Sequence, residues 1–452
     1  MTFAARTWGR MSLTARLTAI FVPLALVLAI GTVLAIVVII PAGLDFLGAN
    51  MPLVRFGVAV VGILVLTIPT AFVLIYMELK VIARMNLRVG PNRIGPWGAA
   101  MSLVHGFKVL SKEDFAPTGA DLTVFTLAPV VTFLASVMTL QVIPFAPGLF
   151  GQDFNIGLLF FFSMGGLGVI GLLMGGWASF NKYSLLGGMR SAAQIISYEI
   201  PLTISVVGVV ILAGTMSMNH IVIAQGGSAL DWFAFKQPLA LVVFFIAATA
   251  EANRTPFDLA EADSEIVAGF ATEYSGMRFG FFYFAEYVNL FIVSALLATI
   301  FFGGWTAPFN WPWPYTLNWF DAAGIGPVVL IGDALVFLIV GTMVMAAAVR
   351  LIGGKAWTAP SAWAMGALIA GAALTAVVGL ACFIAFDFVQ GIFWFMAKTY
   401  VFIFTFVWMR ATLPRVRVDQ LMGFAWKWLL PASLLNLFVT AAAIIIINPS
   451  VK

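Results

Sequence analysis

Long uninterrupted apolar runs constrain this chain more than any other feature. A membrane-spanning helix needs about 20 mainly apolar residues. Such runs recur near 19–41, 54–82, 122–143, 156–179, 191–213, 238–252, 279–302, 326–350, 362–386, 389–409 and 428–447. The expected fold class is all-α, a polytopic membrane helix bundle of about 11 transmembrane helices. Clusters of Gly and Pro punctuate the runs, at Pro144, Pro147 and Gly148, at Gly226 and Gly227, and in the Trp–Pro stretch 311–315. Only 9% of the residues are charged, against about 25% in soluble domains, which excludes a string of soluble domains. The first run is longer than the roughly 7–15-residue core of a secretory signal, so it reads as a span.

The basic residues test the span count. With the N-terminus cytoplasmic, 19 of the 23 Lys and Arg fall on the cytoplasmic side, from Arg6, Arg10 and Arg16 to Arg410, Arg415, Arg417 and Lys427. A Lys/Arg bias of this kind sets orientation, and an odd error in the count would scramble it. The net charge of +4 is spread along these loops and is no nucleic-acid signature. The lone cysteine, Cys382, lies in an apolar run. One thiol rules out an intrachain disulfide and a cysteine-ligated zinc or iron–sulfur site.

Against this background the stretch Glu251–Arg278 stands out. With Glu286, it holds seven of the chain's 19 acidic residues: Glu251, Asp258, Glu261, Asp263, Glu265, Glu273 and Glu286. Ionisable residues inside a membrane protein mark functional sites by default. Glu199 lies roughly 12 Å into the run 191–213 and Glu286 roughly 10 Å into the run 279–302, at 1.5 Å per residue. Glu78 sits one turn inside its helix, and Lys398 falls near mid-membrane, twelve residues before Arg410. An unpaired carboxylate at such depth costs at least about 2.5 kcal/mol. The four glutamates share the cytoplasmic half, so a polar cavity opening from that side is expected.

Other stretches carry weaker signals. Arg84, Arg88 and Arg93 sit in a loop framed by Gly90-Pro91 and Gly95-Pro96. Residues 99–112 are too short and mixed to span and read as an interfacial helix carrying His105. GGLGVIGLLMGG, 165–176, reads as a close-packing surface without chemistry. The loop with Arg410, Arg415, Arg417 and Asp419 reads as solvated.

Four segments together resemble a known family. RVGPNRIGPWG (88–98), NKYSLLGGMRSAAQIISYE (181–199), EANRTPFDLAEADSEIVAGFATEYSGMRFG (251–280) and RATLPRVRVDQLMGFAWK (410–427) are similar to the H subunits of proton-pumping NADH–quinone oxidoreductase, respiratory complex I. The resemblance covers about 55–300 and 390–447. It implies eight core helices, with three extra ones here: the N-terminal helix and the pair at 326–350 and 362–386. The corresponding division is 1–53 as N-terminal segment and extra helix, 54–302 as core with quinone-chamber loops, 303–388 as insertion, and 389–452 as the last two core helices.

The resemblance further implies a subunit forming the membrane end of a quinone chamber and the first link to proton-translocating subunits. Quinone, whether ubiquinone or menaquinone, is the substrate; FMN and iron–sulfur clusters belong to partner subunits of the peripheral arm. A bacterial inner membrane is the implied location. By position, Glu78, Glu199, Glu251, Glu286 and Lys398 would form the proton relay. Arg93, Glu261, Asp263, Glu265, Glu273 and Arg278 would line the chamber and its acidic loop. The chain departs from the family pattern at Leu79, where Arg usually follows the glutamate, at His105 in place of Asp, and at Ala260 and Asp263 in the acidic loop. Two other readings stand beside this one. A related membrane subunit of an energy-converting hydrogenase would share the helices without the quinone. A secondary transporter would show an inverted repeat between its halves, and none is visible.

Overall fold

The computed structural model describes residues 52–94, 98–147, 149, 151, 153–226, 229–258, 268–307 and 387–447. The N-terminal run 19–41, the acidic residues Glu261, Asp263 and Glu265, the inserted pair 326–350 and 362–386, the 311–315 stretch and Cys382 lie outside the described residues. The chain divides into two compact units, Met1–Gly62 and Ile63–Lys452. Of the first, only residues 52–62, the start of one helix, are described. The helix bundle and its charged residues belong to the second.

The described residues are helical, without a named strand. In chain order they form α1 Pro52–Met85, α2 Met101–Ser111, α3 Leu122–Thr139, α4 Gly157–Ala178, α5 Lys182–Ala213, α6 Met218–Ala224, α7 Pro238–Glu251, α8 Gly276–Phe301, α9 Asp387–Thr412, α10 Val418–Phe424 and α11 Leu430–Ile447. Six helical segments among the described residues are long and apolar enough to cross a membrane, and α7 is a shorter apolar helix. The expected runs at 54–82, 122–143, 156–179, 238–252, 279–302 and 389–409 each find their helix.

Two boundaries differ from the apolar runs. Helix α5 starts at Lys182 rather than 191. The Asn181 side chain accepts from the Tyr183 amide at 2.9 Å and sets that start. Gly214, at φ +69°, ends the helix by donating to Val210 O at 2.8 Å. Polarity therefore hid two turns that capping reveals. The last helix likewise extends upstream of 428, through α10 and a π-helical turn, Ala425–Leu429. There Trp426 Nε1 donates to Ser197 Oγ at 3.3 Å.

Helix α8 is the central post. In its most apolar window 83% of residues are buried, well above the other spans. It packs on α3 and α9, while α4 and α5 pair beside it and α7 and α11 lie on α5. Aromatic contacts lock the layers, with Phe244 on Phe301 at 5.3 Å and Phe245 stacked on Phe406 at 5.1 Å. The glycine run of α4 divides by function along its length. A Cβ on Gly171 would lie 2.2 Å from Thr132 Oγ1, and one on Gly176 would lie 3.1 Å from Gly188 Cα. Those two glycines permit close helix contact. Helix α2 occupies the stretch expected of an interfacial helix. It lies against α1 and α8, since a Cβ on Gly106 would meet Phe72 at 3.1 Å and one on Gly280 would meet Val109 at 2.9 Å. Its Leu103, Phe107 and Leu110 remain exposed.

Candidate functional site

The site is built on the end of α7. Asn253 adopts a left-handed φ of +49°, a conformation Asn tolerates better than most residues. Its amide donates to Ala250 O at 3.2 Å, and the Arg254 amide donates to Thr249 O at 3.3 Å. This pair of bonds is the Schellman stop of a helix. It turns the chain so that Arg254 points back into the bundle, where the residue is 2% exposed.

Arg254 ties separate helices together. Its Nη1 donates to both Glu78 oxygens at 3.2 Å. Its Nη2 pairs with Glu286 Oε1 at 3.3 Å, off the hydrogen-bond axis. The guanidinium lies 4.7 Å over the Tyr287 ring. Arg410 at the end of α9 also pairs with Glu78. Burial by itself lowers the Arg254 pKa, but Glu286 and Glu78 outweigh it and hold the group above the ordinary arginine value. Arg254 therefore stays charged.

The loop around it is held just as tightly. Gln194 Nε2 donates to Ala250 O and Phe257 O, both at 2.8 Å, and to Asn253 Oδ1 at 3.2 Å. Arg415 pairs with Asp258 at 3.1 Å, and the Val416 amide donates to Pro256 O at 3.0 Å. The expectation of a merely solvated 410–419 loop is thus corrected, because Arg410 and Arg415 are counter-ions of buried carboxylates. Neither Arg254 nor Gln194 stood among the expected site residues. A signal was present for the arginine: several buried acids need a buried cation, and Arg254 directly follows the Asn that stops α7.

A cavity opens between α3, α4 and α8. Glu251, Asp258, Glu286 and Asn289 supply its polar wall, with Gly165 and Phe282 among the rest. Glu251 Oε2 is buried and has no hydrogen-bond partner among the described residues. Glu199, on α5, faces the same neighbourhood. The point a Cβ on Gly165 would occupy is 3.8 Å from Glu251 Oε1 and 4.0 Å from Glu199 Oε1. The structure therefore brings Glu78 together with Glu286 through Arg254, Glu251 together with Glu199 at Gly165, and Glu251 with Glu286 on one cavity wall.

The remaining expected residues are distributed differently. Asn181 Nδ2 donates to Glu273 at 2.6 Å. Arg278 pairs with Asp114 at 3.2 Å. Between them Tyr274 is buried, its phenol donating to Phe125 O at 3.1 Å, and burial pushes that phenol up. Arg93 and His105 are exposed, on the loop after α1 and on α2.

Lys398 is the outlier. Its ammonium donates to Phe302 O at 2.6 Å, Gly304 O at 3.0 Å and Thr306 O at 2.6 Å, and lies 4.4 Å over the Trp232 ring. These carbonyls close the far end of α8, some 16 residues beyond Glu286. At 1.5 Å per residue that is roughly 24 Å away. The structure does not bring Lys398 beside the carboxylates. A cation at a helix C-terminus is stabilised by the carbonyls that no amide satisfies, and that interaction draws the lysine to the opposite end.

The elements after the acidic stretch are gripped by α5. Ser184 Oγ donates to Phe270 O at 3.0 Å, and a Cβ on Gly187 would lie 2.5 Å from Gly269 Cα. Gly187→Val is expected to cost about 1–3 kcal/mol by overpacking and to displace the turn Gly269–Ala271. Limited proteolysis of the assembled membrane protein after 268 reads this; unchanged cleavage would show that the turn adapts without moving.

An all-α bundle of membrane-length helices, with acids and arginines paired at one end beside a cavity, defines the class: an integral-membrane protein organised around a buried charge cluster. A family model described as NADH dehydrogenase matches residues 57–441. The chain is 40% identical to the NADH-quinone oxidoreductase H subunit of Dehalococcoides mccartyi (strain CBDB1) over 393 residues, 87% of this chain and 86% of the relative. It is 42% identical to the H subunit of Geobacillus kaustophilus (84% and 92% covered) and 39% to that of Bacteroides thetaiotaomicron (83% and 86%). The chain belongs to the NADH dehydrogenase family, among the H subunits of NADH-quinone oxidoreductase.

Proposed function

We propose that the chain forms the membrane end of the quinone chamber of a proton-translocating NADH–quinone oxidoreductase and supplies the first carboxylate link toward proton-translocating partner subunits. One observation carries this reading. Asp258 on one side of Glu261, Asp263 and Glu265 in the chain, and Phe270 and Ala271 on the other, line the same cavity as Glu251 and Glu286. An event at the acidic stretch is thereby anchored, at both ends, to the carboxylates inside the bundle.

Reducing a quinone to a quinol takes two electrons and two protons. The electrons come from flavin and iron–sulfur groups in peripheral partner subunits. The negative charge that builds on the quinone raises the proton affinity of nearby carboxylates, and Glu261, Asp263 and Glu265 are the groups assigned to sense it. Glu251 and Glu286 on the cavity wall, with Glu199 near Glu251, are the groups assigned to pass that change on. Glu78 sits between Arg254 and Arg410 and acts as a fixed countercharge. Arg93, Glu273 and Arg278 shape the chamber mouth. The Lys/Arg bias of the loops supports a cytoplasmic position for this end, in what we take to be a bacterial inner membrane.

The test is Glu199→Gln and Glu286→Gln in the assembled complex, with NADH–quinone turnover and proton uptake measured in membrane vesicles. Each variant is expected to lose several-fold in coupled turnover, within the roughly 10²–10⁴-fold range that positioned proton transfer contributes. Normal coupled turnover in both would remove the relay.

A further inference from the structure

Two carboxylates of the relay approach the same glycine. Glu251 ends α7 and Glu199 lies within α5. Gly165 of α4 faces both, with the point of a would-be Cβ 3.8 Å from one Oε1 and 4.0 Å from the other. Gly165 and Gly168 both lie on the cavity wall, and a Cβ on Gly168 would meet nothing within 4 Å. This half of the glycine run differs from the packing half, where Gly171 and Gly176 touch neighbouring helices. A second observation points the same way. Glu251 Oε2 is a buried carboxylate oxygen without a hydrogen-bond partner among the described residues. Buried oxygens of that kind are satisfied by a proton, a water or both.

We infer that Gly165 is a positioning residue of the proton relay, keeping open a water-sized passage through which a proton crosses between Glu199 and Glu251. This rests on the relay reading above. In the step, one carboxylic acid gives its O–H proton to a water oxygen while that water gives a different proton to the other carboxylate. One O–H bond forms and one breaks at each transfer, the water is regenerated, and no electrons move. Glu199 thereby joins the cavity that carries Glu251 and Glu286 on its wall. The helical backbone at Gly165 needs no unusual φ, and a Cβ there would stand in van der Waals contact with both carboxylates, so what a side chain changes here is the space beside them.

The isosteric pair Gly165→Val and Gly165→Thr separates passage from packing, because only Thr carries a hydroxyl that both donates and accepts. Both are to be made in the assembled complex beside Glu199→Gln, with NADH–quinone turnover and proton uptake read in membrane vesicles. Gly165→Val is expected to lose at least about tenfold in coupled turnover, and Gly165→Thr to retain several times more than Val. Where the β-branched variants fail to assemble, Gly165→Ser and Gly165→Ala carry the same comparison, with Ser expected above Ala. Equal turnover within a pair, with Glu199→Gln impaired, overturns the passage and leaves the relay standing. An unimpaired Glu199→Gln overturns the relay, and the passage with it.

Discussion

Replacing Arg254 with methionine is expected to leave the complex poorly assembled. Truncating one partner of a buried ion pair costs about 3–5 kcal/mol, because the opposite charge is left without its counter-ion. Arg254 holds Glu78 through two bonds and Glu286 through an ion pair, and it is itself 2% exposed. Glu78 keeps Arg410, whereas Glu286 loses the ion pair that Arg254 gave it. The double variant Arg254→Met with Glu286→Gln is therefore expected to recover much of the assembly while remaining inactive. Arg254→Lys is expected to fall between, since a point charge on a flexible stem cannot serve two carboxylates as a planar fork does. Quantifying the subunit in membranes and in the assembled complex checks all three. Wild-type amounts for the methionine variant would show that the charge cluster does not hold the helices together.

Replacing Lys398 with methionine comes second in size and has a different signature. Its ammonium satisfies three carbonyls beyond α8, and each carbonyl left buried without a donor costs about 1–3 kcal/mol. The segment 302–307 that they belong to directly follows α8. Faster thermal inactivation and faster proteolysis near 302–307 are expected, with the ratio of protons moved to electrons transferred unchanged. An altered ratio in a stably assembled variant would return Lys398 to the proton path. Pumping and stability separate here because the lysine lies at one end of α8 and the carboxylates near the other.

The apolar runs showed where most described helices lie, because burial in lipid demands long stretches without charge. They misplaced the start of α5, where a capping asparagine rather than polarity begins the helix. The acidic stretch and the four buried glutamates were legible for the same reason, as a carboxylate in so apolar a chain needs a cause. Their partners were not. Arg254 and Arg410 looked like members of an ordinary basic bias, and only the turn at Asn253 and the approach of α1, α8 and α9 made them counter-ions. The glycine run was legible as small residues, but its division into packing and cavity halves was not. Periodicity says which side chains are missing and leaves open what stands opposite them.

By itself, then, the chain's order of residues determined a membrane bundle, the spacing of its acids along the chain and, through long motifs, the family. Position along a helix axis is a one-dimensional quantity, set by residue count at 1.5 Å per step. Which charge meets which depends on how helices far apart in sequence rotate and approach. Tertiary structure alone decided that Glu78 is clamped, that Glu251 and Glu199 both approach Gly165, and that Lys398 bonds beyond the far end of α8.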